Sequence, residues 1–457
     1  MRSVLHFAPV SGWFNDPNGL IDHRGTHHLF FQHNPDALTM EHMCWGHASS
    51  TDLLTWTEHP PALRPGPPGS ADDDGCWSGC AVHDGDAVVA VYSGHHDGQE
   101  LPCVARPLDD DLIGWHKSPA NPVVDRRPPV AGLTDMRDHS VRREGGRWRQ
   151  VLAGGVDGSG ALFGYTSTDL GEWKWDGIVL EASDADLPGR VWECPDVFRV
   201  GDEVVAIVSL IDDDRSPVLW ITGTTDEARI IPRRWGLVDH GDRLYAPQSY
   251  TDRAGRRIMF GWLRTHLDPA ALGQPSLGVA SLPRVLSVVD GRLHQTPAAE
   301  IESFRGEPQV SRPDEGGTEV SMELDGEAVE VHITCHSTDL LLETRLDFDD
   351  GTGRHLGADL ACFVRDDGLP ADGGRDRHGQ GPTRATVIFD CGIVEVFLDD
   401  GRAATTTDAA VGRVSRLRVW TKTAGIEEVT AWVLRPPDGG SAPATGHSSR
   451  QELSVTG

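Results

Sequence analysis

Three things are scarce in this 457-residue chain: long apolar runs, paired cysteines and concentrated positive charge. No stretch approaches the roughly 18 apolar residues that a membrane-spanning helix needs. The opening Met-Arg-Ser-Val-Leu-His-Phe lacks the apolar centre of a secretory leader. The 8 cysteines form no Cys-x-x-Cys pair, which leaves zinc and thioredoxin readings weak. We therefore expect a cytoplasmic protein whose cysteines are reduced, small and buried. No His-Glu-x-x-His occurs among 21 histidines, and neighbours such as His27-His28 and His95-His96 would point to opposite faces of a strand. No metal and no cofactor are expected, although His95 and His96 could reach a substrate. Acidic residues outnumber basic ones 70 to 41, for a net charge of −29. Such a chain repels nucleic-acid phosphates and anionic membranes, so a neutral small molecule or oligosaccharide is the expected partner. No Lys/Arg cluster accompanies the motifs below. Arg126-Arg127 and Arg142-Arg143 are the nearest pairs, and both read as solvated.

Long 3.6-residue periodicity is also missing, and short strand signals replace it. Ala87 to Tyr92, Glu203 to Ile211 and Arg257 to Leu263 are β-branched or aromatic runs bounded by turn formers. A signature Asp-Leu-x-x-Trp recurs at Asp52, Asp111 and Asp169, with a degenerate copy at Asp226; the spacings are 59, 58 and 57 residues. In phase with it run Asp16, Trp77, Asp138, Glu193 and Gln248, spaced by 61, 61, 55 and 55. A period of that length in a strand-rich chain predicts a five-bladed β-propeller, whose equivalent positions face one central channel. The period fades near residue 300. A polar joint at 301–317 follows, and then strand signals such as Ile393 to Leu398 with the turn Asp399-Asp400-Gly401. The full expectation is all-β: a propeller over 1–300, a C-terminal β-sandwich over 318–435 and a disordered tail over 436–457. Oligomeric state is open between monomer and homodimer.

If the phase is structural, Asp16, Asp138 and Glu193 meet in one pocket. Glycoside hydrolysis requires two carboxyl groups in different protonation states, one to protonate the leaving oxygen and one to attack or stabilise the anomeric carbon. Asn15-Asp16-Pro17-Asn18-Gly19 reads as a tight turn whose amide donors keep Asp16 ionised. Trp192, Cys194 and Pro195 would give Glu193 apolar surroundings that favour its protonated form. Arg137 could keep Asp138 charged. Cys194 reads as packing rather than as a nucleophile.

At these motifs the chain resembles glycoside hydrolase family 32, the invertases, levanases and inulinases. The resemblance rests on Trp13-Phe14-Asn15-Asp16-Pro17-Asn18-Gly19, His28 to Pro35, Trp45-Gly46-His47-Ala48, Trp77-Ser78-Gly79, Arg137-Asp138 and Glu193-Cys194-Pro195-Asp196. It continues through Leu282-Pro283-Arg284 to Val394-Glu395-Val396-Phe397. It implies a retaining β-fructofuranosidase with Asp16 as nucleophile, Glu193 as acid/base and Asp138 as transition-state stabiliser. Trp13, Asn15, Gln32, Trp45, Trp77, Ser78 and Arg137 would bind the sugar. A fructosyltransferase or a non-catalytic sugar-binding propeller are the alternatives. Two departures stand out. His139 replaces the usual Pro after Arg-Asp, either loosening the Asp138 backbone or adding a donor. The segment Thr265 to Gly278 looks long enough to form a lid.

Overall fold

The computed structural model describes residues 3–211, 216–264, 275–314, 316–335, 341–349, 355–363, 383–407, 413–421 and 425–437. Most of the expected lid and the tail from Asp438 lie outside these residues. Nearly all regular structure is strand, and the only helical pieces described are two short 3-10 turns. Among the described residues no helix is long and apolar enough to cross a membrane.

Five antiparallel sheets follow one another along the chain. Their first strands are Gly12–His23, Gly75–Asp84, Leu133–Glu144, Val191–Val200 and Leu244–Thr251. Each first strand packs against the first strand of the next sheet, and the fifth packs back against the first, so the five strands surround a common axis. The short strand Ser276–Leu277, which follows the second strand of sheet five, pairs in parallel with Gly12–Trp13 of sheet one. Burial explains why these sheets form. Val88 to Tyr92 and Val204 to Ile207 are buried on both faces between neighbouring sheets, which favours β-branched residues on a pleated surface.

The Asp-Leu-x-x-Trp signature is the turn between the third and fourth strands of sheets one to three. Leu53, Leu112 and Leu170 adopt left-handed φ of 68°, 57° and 66°, while their side chains are buried. The tryptophan Nε1 of each copy donates to the carbonyl of that leucine, at 3.1, 2.7 and 3.2 Å. Asp52 and Asp169 cap the turn amides, but in the second copy Asp109 does so instead of Asp111. The repeat is therefore architectural.

Each first strand interrupts its pairing at an equivalent place, between Phe14 and Pro17, Trp77 and Gly79, Arg137 and His139, Glu193 and Asp196, and Tyr245 and Gln248. The expected tight turn at Asn15 to Gly19 is thus a bulge inside a continuous strand. A bulge re-aims side chains without ending a strand. Asp138, Cys194 and Ala246 occupy equivalent left-handed positions, with φ of 58°, 46° and 47°. Their freed amides are satisfied by Ser93 Oγ, the Asp138 carboxylate and Ser209 Oγ, at 3.0, 2.8 and 3.0 Å.

Beyond residue 309 the chain builds two further sheets, of six and four strands. Val329, Val331 and Val387 of one pack against Val320, Leu417 and Val419 of the other in a shared apolar core. The expected joint at 301–317 is more ordered than its composition suggests, since Gln309–Ser311 pairs with Val429 to Ala431. A buried polar network ties these sheets to the first five. Arg284 donates to Glu395, Asp239, Thr405 and Gln295. His6 bridges Asp390 at 2.8 Å and Glu395 at 3.1 Å. Burial alone would lower the pKa of His6, but the bonds to Asp390 and Glu395 outweigh it and hold the imidazole up at about 9.

Candidate active site

The bulges aim five equivalent positions at the axis, and chemistry concentrates there. Cys194 lies between the two aspartates, its Sγ 3.3 Å from Asp16 Oδ2 and 3.4 Å from Asp138 Oδ2. Asp16 also accepts from Ser78 Oγ at 2.6 Å and Asn15 Nδ2 at 3.0 Å, and Trp13 Nε1 orients Asn15 through its Oδ1 at 2.7 Å. The donors to Asp16 are side chains rather than the turn amides expected. They do not hold its pKa down. Burial raises it, and Glu193 adds to the rise against the pull of Ser78, Cys194 and Asn15.

Arg137, Glu193 and Tyr245 each precede a left-handed residue, and they form a second bonded group. Arg137 Nη2 and Nε donate to Glu193 Oε1 at 2.5 and 3.1 Å, and the Tyr245 hydroxyl donates to Oε2 at 2.6 Å. Glu193 therefore meets a cation and a phenol, not the apolar surroundings expected from its sequence neighbours. Trp192, the apolar neighbour, points away into the core and is fully buried. Arg137 opposes but does not prevent the rise of Asp138 to about 7. Burial drives that rise, with help from the charges of Glu193 and Asp16. Three carboxyl groups face a single bonded arginine here, an arrangement that favours retention of a proton within the cluster.

The expected sugar contacts divide. Trp13, Asn15, Ser78 and Arg137 touch the carboxyl cluster directly or through one partner, whereas Trp45 is wholly buried. Its Nε1 bonds the Trp77 carbonyl at 3.0 Å, so it supports Trp77 from beneath. Gln32 is also buried and donates to the Cys76 carbonyl. Trp77 stacks on His95, with ring centroids 4.6 Å apart. His96 instead pairs with Asp73. Asp73, Asp74 and His96 place ligand-type atoms within 4.8 Å of one another. Within this group Asp73 bonds His96 and the Gly69 amide, and Asp74 accepts from the Asp97 amide.

Below the carboxyl groups lies a small cavity lined by Pro17, Ser78-Gly79, Asp138-His139, Cys194-Pro195 and Ala246-Pro247-Gln248. His139 occupies the position filled by Pro195 and Pro247 in the next two sheets. Asp138 keeps the same left-handed φ as the residues before those prolines, so the His has not loosened its backbone. The His139 Nδ1 bonds Gln150 at 2.9 Å, and burial drives its pKa down to about 3. Gln248 crosses the axis, donating to the Gly79 carbonyl and accepting from Leu20 N.

Sequence reasoning missed Tyr245. Gln248 was in phase, but the interruptions that follow Glu193 and Tyr245 make Tyr245, not Gln248, the counterpart of Glu193. It also read Arg142 as solvated, whereas that side chain is largely buried beside Glu144.

Residues 6–297 match the glycosyl hydrolases family 32 N-terminal domain. A sucrose-6-phosphate hydrolase of Escherichia coli is 31% identical over 437 residues, covering 87% of each chain. A raffinose invertase of Escherichia coli is 31% identical over 88% of this chain and 87% of its own. Fructan 1-exohydrolase IIa from Cichorium intybus superposes with a TM-score of 0.77 at 24% identity, covering 95% of this chain and 97% of its own. The sucrose-6-phosphate hydrolase from Lactobacillus gasseri gives 0.76 at 22% identity over 95% and 93%. At these identities the structural likeness speaks for the fold alone.

Proposed function

The chain belongs to glycosyl hydrolase family 32 and is a glycosidase, and we propose that it releases fructose from β-D-fructofuranosides with retention of configuration. The observation that carries this reading is the convergence of Asp16, Asp138 and Glu193, from three different sheets, around Cys194, Ser78, Arg137 and Tyr245.

In this mechanism the reactive form has Asp16 ionised and the cluster's proton on Glu193. An Asp16 oxygen attacks the anomeric carbon while Glu193 gives its proton to the leaving oxygen, and the glycosidic bond breaks. Glu193, now a carboxylate, accepts a proton from water. The resulting hydroxide displaces Asp16 and releases fructose. Asp138 binds fructose hydroxyls and stabilises the positive charge that develops on the ring. Arg137 and Tyr245 fix the orientation of Glu193. Retention calls for roughly 5 to 5.5 Å between the Asp16 and Glu193 carboxyl groups. The shared reach of Ser78, Cys194 and Arg137 supports a compact arrangement.

The same reading treats the five sheets as the blades of a five-bladed propeller over 1–300. The later sheets then form a β-sandwich over 318–435, joined through 301–317. Contact between successive first strands supports the propeller, and the shared apolar core supports the sandwich. A cytoplasmic location is consistent with the 7 cysteines that are free among the described residues.

The decisive test follows the sugar released from sucrose by wild type and Glu193→Gln, with the first-formed anomer assigned by NMR. We expect β-fructofuranose first, and a loss of at least about a hundredfold in the variant. Release of the α-anomer would overturn the retaining mechanism, and full activity of Glu193→Gln would remove Glu193 from the acid/base role.

A further inference from the structure

The pair His95-His96 has no part in the proposed mechanism, yet the fold sets His95 behind a residue of the pocket. Strand Ala87–His96 lies beside Gly75–Asp84 in sheet two, with Ser93 opposite Trp77 and His95 opposite Gly75. Side chains two residues apart on a strand share a face, so Trp77 and His95 are diagonal neighbours within reach of each other's rings. Gly75 makes the contact possible. A Cβ there would stand 2.9 Å from Trp77 Nε1 and 3.0 Å from its Cδ1, so the indole lies over the glycine and against the imidazole. The two rings stack with 4.6 Å between centroids and 27° between planes.

Trp77 stands between the two aspartates. Ser78, the next residue, donates to Asp16, and Ser93, the cross-strand partner of Trp77, accepts from the Asp138 amide. Trp45 fixes the Trp77 main chain from beneath, and His95 packs on the indole itself. The imidazole is held in turn by its own neighbours. Glu100 lies opposite it on strand Gln99–Pro107, with Oε1 3.9 Å from His95 Nε2. Oε2 of the same carboxylate accepts from Arg127 Nη2 at 3.2 Å, and Arg127 Nη1 donates to the Thr134 carbonyl at 3.0 Å. Thr134 belongs to the first strand of sheet three, so these contacts run from Trp77 into the sheet that carries Asp138. Among the described residues, Glu100 is the carboxylate within ion-pair distance of His95, and Asp16, Asp138 and Glu193 are not. His95 therefore acts on the pocket through Trp77.

We propose that His95 is a positioning residue, which holds the Trp77 indole as a flat wall against which the fructose ring binds. This rests on the β-fructofuranosidase reading and adds to it a residue that acts through another. A flat apolar ring matches the C–H face of a sugar. An indole already immobilised on one face loses little rotamer freedom when the sugar arrives, so more of the contact appears as affinity. The wall meets the sugar in the ground state and in the transition state alike, and it therefore lowers KM without raising kcat. A flat ring at position 95 is all that this role requires.

The test measures kcat and KM for sucrose, and the Kd of fructose by calorimetry, in wild type, His95→Ala, His95→Phe, Trp77→Ala and the double alanine variant. We expect His95→Ala to raise KM and the fructose Kd about three- to tenfold, the loss of one aromatic contact, with kcat within about twofold of wild type. His95→Phe, which restores a flat ring, should return both constants to within about twofold of wild type. Added to Trp77→Ala, the His95→Ala change should have no further effect, because its partner is already gone. Constants unmoved in His95→Ala, a fall in kcat at unchanged KM, failure of Phe to rescue, or effects of the two alanines that multiply would overturn the positioning role while leaving fructoside hydrolysis intact. If fructose binds but sucrose is not turned over, the hydrolase reading falls and the calorimetric constants still decide on His95. A folded wild type that neither turns over sucrose nor binds fructose would overturn both readings.

Discussion

His6 offers the most direct quantitative test of how the N-terminal segment is held to the later sheets. Its imidazole is wholly buried between Asp390 and Glu395, and its pKa stands at about 9, against the ordinary 6.5. A histidine whose folded pKa is raised contributes stability that is fully present below its unfolded pKa and is lost as pH rises through the folded one. The window is therefore pH 6.5 to 9. A rise of that size corresponds to about 3 kcal/mol. Per-residue unfolding entropies put one kcal/mol at about 1 °C in Tm for a chain of this length, so the expected change is about 3 °C. The perturbation is His6→Gln, which keeps hydrogen-bonding capacity but cannot take up a proton. Thermal unfolding followed at pH 6, 7, 8 and 9 should show wild type exceeding the variant most at pH 6, with the gap closing towards pH 9. A gap that is constant with pH, or that widens as pH rises, would refute a charged His6 at this junction.

Four further outcomes follow from the same structure. Asp138 is held at about 7 in the fold, so its ionisation opposes folding increasingly as pH rises from the ordinary carboxylate range to 7. Asp138→Asn should therefore raise Tm at pH 8 while reducing turnover of sucrose by a hundredfold or more, as read by calorimetry and fructose release. Tyr245→Phe removes one of the groups that orient Glu193. It should lower kcat by about tenfold with little change in KM, the loss expected of one hydrogen bond to a charged group. In sheet one, burial holds His28 at about 4 and His47 at about 2, and the rings are bonded at 2.9 Å. Their neutral forms are favoured by the fold, so stability should drop as pH falls below about 6.5. His47→Gln should flatten that drop in urea titrations between pH 4 and 7. Trp45 supports Trp77 from the core, and Trp45→Phe should raise KM for sucrose through a displaced Trp77 while leaving the pH profile of kcat unchanged.

The sequence located the active-site strands with unusual economy, because the period that spaces Asp16, Asp138 and Glu193 is also the period of the sheets. Glu203 to Ile211, Arg257 to Leu263 and Ile393 to Leu398 were read to the residue, since each is a compact apolar run with clear turn formers at its ends. Asn15 to Gly19 misled because Asn, Asp, Pro and Gly favour turns locally, while pairing with Phe30 and Phe31 keeps this segment in a strand. The weak strand Gln309–Ser311 was hidden for the opposite reason. Its three mostly exposed residues are too few to carry a pattern, and only the edge it joins defines it.

What the chain fixed by itself was a list of residue types at set spacings: three carboxyls in phase and the short strands between turns. These are properties of local sequence and periodicity. What only the tertiary structure decided was the electrostatic company each group keeps. Asp16 was expected to stay ionised, yet burial raises its pKa. Glu193 was expected to sit among apolar neighbours, yet it meets Arg137 and Tyr245. The reason is physical: charge interactions depend on distance through space and on exclusion of water, and both are set by which strands surround the axis.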